Sequence, residues 1–478
     1  MGRSTGEIAV HWTSRSTRLP RRQALGGLLS AAVAVVGLAG TGPTTISTHR
    51  PAGPPWSGRP AASATSVRHA AASSPRRPAA AAGNVRFRLP PRLGRSVAPA
   101  RLGPGSRGPA VVTSAAGGPP RPASGLRRSG RTLLLDGRPY RFTGVNAYEL
   151  ATAPALNTWC GAAVTDGQLA DLFRSLPPHS MVRLDAYQYL AIDQHTGQFD
   201  FSGLDRVFSD AAAAGQLLDV VLSSQAGVCD DDHWHDAAWY AGGYRSTVWT
   251  DGGRNREPFD AFLEQVVTRY RSSPAVGMWE PVSEPDASAC TNHPTYGYQC
   301  QTAPCTTRVE SSDARLMRGF FDAVGGQIHT LDPGSLVAAG FVGTDNQCGT
   351  EFADYRYVGA SPGLDVLTYH DYGDNTTTVP ATLRQDIGYA GQDQRPIIVE
   401  EAGMLAGPTA GTACAMTLGT RANRLAAKAA AGYAVGLSGY LAWNWVPAAP
   451  SGCDQGMGPG DPALAALAGA LARSSAPV

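Results

Sequence analysis

The stretch that decides the fold is Trp279-Glu280-Pro281-Val282-Ser283-Glu284-Pro285. The apolar run before it, residues 275–278, is typical of a buried strand, and Pro281 and Pro285 prevent a helix from continuing through the stretch. Glu284 is therefore expected at, or just past, the end of a buried strand. In parallel α/β barrels this position is the C-terminal rim, where the chemistry is placed.

A second carboxylate arrives at a strand end in the same way, within Arg395-Pro396-Ile397-Ile398-Val399-Glu400-Glu401-Ala402-Gly403. Because 117 residues separate Glu284 from Glu401, only the tertiary fold can bring the two together. Strand alternation predicts that Glu400 and Glu401 point to opposite faces of their strand. Two glutamates converging on one rim are the minimum that hydrolysis of a glycosidic bond requires.

The rest of the body, residues 129–478, alternates between strand-like and helix-like segments. It opens with a predicted β-hairpin over 132–142, built around the Asp136-Gly137 turn. Eight βα units then predict an α/β fold, a single TIM (β/α)8 barrel with long rim loops. A doubly wound open sheet is the alternative, but it would need a Gly-rich phosphate turn after its first strand, and the sequence has none there. The predicted strands are 142–148, 180–186, 217–223, 275–280, 335–342, 364–369, 396–400 and 438–443, and the predicted helices are 165–175, 202–214, 259–272, 312–330, 352–357, 379–391, 420–436 and 462–473.

The first part of the chain differs in charge from the body. Residues 1–135 contain 20 arginines and one acidic residue, Glu7, whereas the remainder contains 20 basic and 37 acidic residues. The pair Arg21-Arg22 precedes an apolar segment, 24–40, and this order is typical of a twin-arginine export signal of bacteria. An uncleaved membrane anchor is the alternative. We predict an export signal over residues 1–42 and a secreted or envelope-associated bacterial protein.

Residues 43–128 are dominated by Pro, Ala, Gly, Ser and Arg. Such a segment cannot bury enough apolar surface to offset its chain entropy, so we predict a disordered linker. Its positive charge either contacts an anionic envelope polymer or is simply solvated. Nucleic-acid binding by the whole protein is not expected, because the body is acidic.

All eight cysteines lie in the body, and an even number in an exported chain favours disulfides. We expect these disulfides to hold the rim loops, with Cys160–Cys229 and Cys414–Cys453 as the favoured pairs. No Cys-x-x-Cys pair occurs, and the run His233-Trp234-His235 lacks a strong ligand spacing, so neither a metal nor another cofactor is predicted. The cysteines are Cys160, Cys229, Cys290, Cys300, Cys305, Cys348, Cys414 and Cys453.

Several short motifs occur in the body in the order of the predicted strands. They are Gly144-Val145-Asn146-Ala147-Tyr148, Val182-Arg183-Leu184, the opening stretch 279–285, His370-Asp371-Tyr372 and Glu401-Ala402-Gly403, followed by Trp443. Through these motifs the chain, over about residues 130–478, resembles the retaining β-glycoside hydrolases of clan A. Within that clan it is most similar to family 5, the cellulase and β-mannanase group.

The resemblance implies roles for individual residues. It places the catalytic acid/base at Glu284 and, through the match to Glu-x-Gly, the nucleophile at Glu401 instead of Glu400. One departure concerns Ser283, which stands where the family has an asparagine that binds the sugar 2-hydroxyl; Ala402 in place of an aromatic residue is a milder one. The residues that the resemblance assigns to substrate binding are Asn146, Arg183, Ser283, His370, Tyr372 and Trp443.

The function implied is that of a secreted, monomeric glycosidase that cleaves a β-linked polysaccharide by double displacement, in the manner of an endo-β-mannanase or a cellulase. Two alternatives are a hydrolase of a cell-envelope glycan and a non-catalytic carbohydrate-binding barrel. Tryptophans in the long loops either stack on sugar rings or anchor those loops. These tryptophans are Trp159, Trp234, Trp239 and Trp249.

Overall fold

The structure is a computed structural model, and all of the residues it describes lie in the second of two compact units, Gly108–Val478. The predicted export signal, residues 43–124 of the predicted linker, and Cys160 lie outside them, so the boundaries of those segments stay predictions. The described residues are 125–152, 163–193, 196–227, 229–231, 233–248, 257–288, 290–293 and 297–300 (backbone only), 311–344, 347–372, 376–409, 411 and 414–474.

Eight parallel strands form a sheet that curls into a barrel, as predicted. The strands form because their residues are apolar runs that are buried on both faces. The two outer strands of the sheet meet through a parallel bridge between Ala338 and Val366, where the Ala339 N–H donates to the Val366 carbonyl at 3.0 Å. In sheet order the strands are β10 (Leu336–Val337), β7 (Val276–Glu280), β6 (Leu217–Val221), β5 (Met181–Asp185), β4 (Phe142–Asn146), β13 (Gly439–Ala442), β12 (Ile397–Ala402) and β11 (Leu367–Asp371).

The helices alternate with these strands and cover the outside of the barrel. Local sequence sets their ends: Thr165 makes a capping box with Gln168 before the first helix, and Gly215 and Gly436 adopt left-handed conformations after two later helices. All eight predicted helices are present, and the short helices α2 and α4 are additional. The helices are α1 (Asp166–Ser175), α2 (Gln188–Ala191), α3 (Ser202–Ala214), α4 (Ala237–Tyr240), α5 (Phe259–Tyr270), α6 (Ser312–Leu331), α7 (Ala353–Gly359), α8 (Ala381–Gln392), α9 (Leu418–Val435) and α10 (Pro462–Ser474).

The predicted N-terminal hairpin is part of a larger sheet. Strands β2 (Thr132–Leu135) and β3 (Arg138–Tyr140) pair as expected, but β1 (Leu126–Ser129) adds a third antiparallel strand ahead of the predicted boundary at residue 129. Leu126 and Leu133 pack against the apolar side chains inside the barrel. The small sheet therefore closes the end of the barrel opposite the rim.

Side chains inside the barrel change from apolar to charged along the strands. Leu217 of β6, Met278 of β7 and Ile398 of β12 belong to the apolar cluster at the closed end. Two residues further along, on the same face of each strand, are Asp219, Glu280 and Glu400, all fully buried. The charged layer thus lies between an apolar floor and the rim.

Disulfides hold the loops at the rim. Cys414 is bonded to Cys453, which confirms one of the two predicted pairs. Cys229 and Cys348 each take part in a disulfide bond as well. An antiparallel hairpin in the loop after β7 pairs β8 (Cys290–His293) with β9 (Gly297–Cys300). Within the described residues, none of the helices combines the length and the apolar character needed to cross a membrane.

Candidate active site

Glu284 lies four residues past the end of β7, on the rim, as predicted. Its backbone adopts a left-handed conformation, with φ of 58°, and its N–H donates to the Gly340 carbonyl at 2.9 Å. A Cβ atom on Gly340 would lie 2.1 Å from the Val282 carbonyl oxygen, so only glycine permits this close approach. The Glu284 side chain is 44% exposed, which makes its carboxylate accessible to a ligand from solvent.

Glu400 and Glu401 do not point to opposite faces, and that prediction was wrong. A bulge shifts the register between β11 and β12, so that Tyr369 pairs with Val399 but His370 pairs with Glu401. The extra residue in β12 breaks the two-residue alternation. Both carboxylates therefore enter the same buried network, with Glu400 deeper and Glu401 closer to the rim.

Arg183, in β5, connects most of this network. Its Nε and Nη2 donate to the two carboxylate oxygens of Glu280, each at 2.7 Å, and Nη2 also donates to Ser283 Oγ at 2.7 Å. Nη1 donates to Asn146 Oδ1 at 2.9 Å and to Glu401 Oε1 at 2.5 Å. The five N–H groups of one buried guanidinium thus hold Glu280 and Glu401 in place.

Two residues of β11 and the loop after it complete the contacts of the two predicted catalytic glutamates. The Tyr372 hydroxyl donates to Glu401 Oε2 at 2.6 Å. His370 Nδ1 lies 2.9 Å from Glu284 Oε1 and 3.5 Å from Glu401 Oε2, and its Nε2 lies 3.4 Å from Glu400 Oε2. One carboxylate oxygen of Glu284, one of Glu401 and one His370 nitrogen all lie within 4.8 Å of one another.

The electrostatics of the site follow from these contacts. Burial lowers the pKa of His370, but Glu401, Glu284 and Glu400 outweigh it and raise that pKa to about 10, so the imidazole is charged at neutral pH. Partial burial raises the pKa of Glu284, yet the hydrogen bond and charge of His370 bring it below its ordinary value. Burial and the charge of Glu401 raise the pKa of Tyr372, so its hydroxyl keeps the proton that it donates.

The other predicted substrate-binding residues fall into two groups. Asn146 and Arg183 are buried beneath the site, and the Asn146 amide donates to the Glu400 carbonyl at 2.8 Å. Ser283, Tyr372 and Trp443 are half-buried and reach the rim. Sequence reasoning did not single out Tyr148, whose ring stacks against Trp443 with centroids 5.7 Å apart and planes 9° from parallel.

The tryptophan-rich loop after β6 is mostly a packing element. Trp239 is buried, stacks on His235 and contacts Phe320, so it is a core residue and does not line a cleft. The Trp234 indole donates to the Ser288 carbonyl at 2.7 Å. His235 Nε2 lies 3.0 Å from Asp231 Oδ2, a contact within a hydrogen-bonded loop. Trp159 and Trp249 lie outside the described residues.

Comparisons with known proteins find similarity in sequence and in fold. The mannan endo-1,4-beta-mannosidase F of Aspergillus fumigatus is 23% identical over 285 residues, which are 55% of this chain and 59% of that protein. The probable mannan endo-1,4-beta-mannosidase C of Aspergillus terreus is 25% identical over 330 residues, 59% of this chain and 74% of that protein. The crystal structure of the endo-1,4-beta-mannanase from Rhizomucor miehei superposes with a TM-score of 0.52 at 17% identity, covering 73% of this chain and 99% of that one.

The resemblance to family 5 of the clan A glycoside hydrolases is confirmed. No family model matches the chain. The chain spans about three-fifths of the length of the Aspergillus fumigatus relative, and about half of the length of a further relative, the probable mannan endo-1,4-beta-mannosidase F of Aspergillus flavus. In sequence and in fold the chain is mannanase-like, and the roles of individual family 5 residues are transferred to it below as proposals.

Removing the guanidinium should destabilise the fold. Arg183→Met leaves Glu280 and Glu401 buried without their cation, so we expect the free energy of unfolding to fall by about 3–5 kcal/mol. The control is Arg174→Met, which removes an ion pair with Asp171 on the surface, where both side chains are 71% exposed. Such a pair contributes about 1 kcal/mol or less to the free energy of unfolding. Denaturant unfolding of both variants measures the difference, and equal losses would contradict the assignment of Arg183 as the centre of the network.

His370 should make stability depend on pH. Its pKa is about 10 in the folded protein and about 6.5 when unfolded, so its contribution is fully present below pH 6.5 and is lost as the pH rises through 10. The difference in unfolding free energy between wild type and His370→Gln should therefore narrow across this window, by at most about 1.4 kcal/mol per pH unit. A constant difference for His370→Gln would contradict a charged imidazole.

Proposed function

We propose that the chain is a secreted, retaining glycoside hydrolase that cleaves internal β-1,4 bonds of a mannan by double displacement. The observation that carries this proposal is the placement of one Glu284 oxygen and one Glu401 oxygen within 4.8 Å of each other, beside His370. Retaining glycosidases hold their two carboxyl groups about 5–5.5 Å apart, whereas inverting ones need about 6.5–9.5 Å to admit a water. The observed spacing supports the retaining case.

In the first step, a carboxylate oxygen of Glu401 attacks the anomeric carbon and forms an ester bond. The glycosidic bond to the leaving oxygen breaks, and that oxygen takes a proton from Glu284. The contacts of Glu401 with Arg183 and Tyr372 hold its carboxylate in a fixed orientation before the attack.

The leaving-group proton has an identifiable source. In the free protein the pKa of Glu284 is low and that of His370 is high, so the proton of this pair is held on the imidazole, 2.9 Å from Glu284 Oε1. As negative charge develops on the leaving oxygen, His370 Nδ1–H passes its proton to Glu284, and Glu284 passes that proton on to the leaving oxygen, which leaves His370 neutral and Glu284 ionised. The pair acts as one acid.

In the second step, Glu284 removes a proton from water as the water attacks the anomeric carbon. The ester bond breaks, its electron pair returns to Glu401, and the sugar leaves with its original β configuration. Loss of the negative charge on Glu401 in the ester removes part of what holds His370 charged. The proton balance of the His370–Glu284 pair thus changes between the two steps.

The substrate class rests on the relatives and on the aromatic pair at the rim. The relatives are named as mannan endo-1,4-beta-mannosidases. The stacked rings of Trp443 and Tyr148 offer an apolar surface of the kind on which a sugar ring packs. Export is supported by the Arg21-Arg22 leader and by the disulfide between Cys414 and Cys453, a bond that persists in oxidising compartments.

The experiment that tests the function is incubation of the full chain with linear mannan, galactomannan, cellulose, xylan and an extracted envelope polysaccharide. We expect reducing ends to appear from the mannans, and proton NMR of the first products to show the β anomer. If reducing ends appeared only from cellulose, or only from the envelope fraction, that glycan and not mannan would be the substrate. An α anomer would contradict double displacement, and binding without release would favour a non-catalytic barrel.

A further inference from the structure

Asp219 lies inside the barrel, beneath the proposed catalytic residues. It pairs in register with Arg183 on one side and with Met278 on the other, and it follows the interior residue Leu217 by two positions. Its side chain is 0% exposed. A carboxyl group in this position must find its partners inside the protein, since water does not reach it.

The cations nearest to Asp219 are committed to other groups. Arg183 directs its five N–H groups to Glu280, Ser283, Asn146 and Glu401, as described above. His370 directs one nitrogen to Glu284 and the other to Glu400. Across the described parts of the chain, no group donates a hydrogen bond to either oxygen of Asp219 or to Glu400 Oε1.

Three carboxyl groups meet at this point, because one oxygen each of Asp219, Glu280 and Glu400 lie within 4.8 Å of one another. If all three were ionised, three oxygens would be buried without a donor, and each would lose its hydration without a compensating hydrogen bond. A proton placed between Asp219 and Glu400 supplies a donor to Glu400 and removes one charge. Glu280 receives two donors from Arg183, so Asp219 is the carboxyl group that gains most from protonation.

The electrostatics agree with this assignment. Burial, then the charges of Glu400 and Glu280, raise the pKa of Asp219 well above its ordinary value. Burial raises the pKa of Glu400 too, but Arg183, His370 and a hydrogen bond from Asp219 bring it below its ordinary value. Burial raises the pKa of Glu280 too, against the opposing effect of Arg183, so this layer binds protons more readily than exposed carboxyl groups do.

We propose that Asp219 is a positioning residue that remains a neutral carboxylic acid and donates its proton in a hydrogen bond to Glu400. Glu400 is then fixed as the ionised acceptor of the Nε2–H of His370, and His370 presents its Nδ1–H to Glu284. Asp219 touches neither substrate nor reacting atoms; it acts through Glu400 and His370. The kinetic part of this inference rests on the proposed function, but the protonation of Asp219 does not.

Infrared spectroscopy tests the protonation directly and needs no substrate. The difference spectrum between wild type and Asp219→Asn at neutral pH should contain one carbonyl stretch of a protonated carboxylic acid, lost in the variant and shifted when the protein is exchanged into D2O. A difference spectrum that shows only the loss of a carboxylate band would overturn the proposal, whether or not the protein hydrolyses any glycan.

The kinetic test compares two substitutions of similar size. Asp219→Asn keeps a donor toward Glu400, so its pH profile of kcat/KM should match that of wild type. Asp219→Leu removes the donor, so that Glu400 takes up a proton and His370 loses one of its three negative partners. The alkaline limb of the profile should then move to lower pH by about one unit. An unshifted limb in Asp219→Leu, or the same shift in both variants, would overturn the role of Asp219. If Asp219→Leu does not fold, the Asp219→Asn profile and the infrared band still decide the question.

Discussion

Glu401→Gln should reduce kcat on mannan by roughly 10^4-fold or more, because the amide cannot form the ester bond to the anomeric carbon. The substitution preserves the shape of the side chain and can still accept a hydrogen bond from Arg183 Nη1. Because the shape is preserved, the change in KM should be much smaller than the change in kcat, although the substitution removes a negative charge that Arg183, Tyr372 and His370 all face.

The matched control is Glu264→Gln, an identical chemical change on the exposed face of α5. It should leave kcat and KM unchanged within about twofold, since surface substitutions rarely alter more than local stability. Glu400→Gln provides a second comparison, because Glu400 lies next to Glu401 in sequence but deeper in the network. If Glu401→Gln kept a tenth of the wild-type rate, Glu401 would not be the nucleophile.

Glu284→Ala should reduce the rate on mannan by about 10^2–10^4-fold, the usual contribution of a general acid–base group. The loss should depend on the leaving group in a way that the loss from Glu401→Gln does not. With an aryl mannoside whose phenol is a strong acid, the first step needs no proton, so the ester should form rapidly and then accumulate.

Azide tests whether the ester accumulates in Glu284→Ala. Because azide needs no deprotonation to attack, it should accelerate turnover of the activated substrate by this variant and yield the β-mannosyl azide. With Glu401→Gln, azide should yield no β-mannosyl azide. If Glu284→Ala lost the same factor in rate on activated and on unactivated substrates, Glu284 would not be the acid.

The barrel could be predicted from the sequence because its strands are continuous apolar runs separated by helical patterns. The shortest barrel strand, β10, contains only Leu336–Val337, although a strand was predicted over 335–342. Gly340 turns the chain away, with φ of 68°. Strand β1 was missed because Arg127-Arg128 made it look like a continuation of the arginine-rich linker. Its pairing with β2 and the packing of Leu126 in the apolar cluster at the closed end of the barrel become visible only in three dimensions.

The rim of the site was also predictable, but its buried layer was not. Glu284, His370, Tyr372 and Glu401 lie together because each is near or just past the C-terminal end of a parallel strand, and these strand ends meet at one edge. The bulge in β12 has no sequence signature, and it places Glu401 in the same network as Glu400 despite the alternation rule. Asp219 did have a signal, a lone charge within the apolar run 217–221, since buried carboxyl groups are rare without a partner.

The central claim is that Glu401 bonds covalently to the sugar while Glu284 faces it across the cleavage point. The most direct measurement is mass spectrometry of the chain after reaction with a 2-deoxy-2-fluoro mannoside bearing an activated leaving group, which slows hydrolysis of the ester more than its formation. The account predicts one added sugar on the peptide that contains Glu401, located by fragmentation to that residue and absent from Glu401→Gln. An adduct on Glu400 or Glu284, or hydrolysis of mannan with no adduct on any residue, would contradict it.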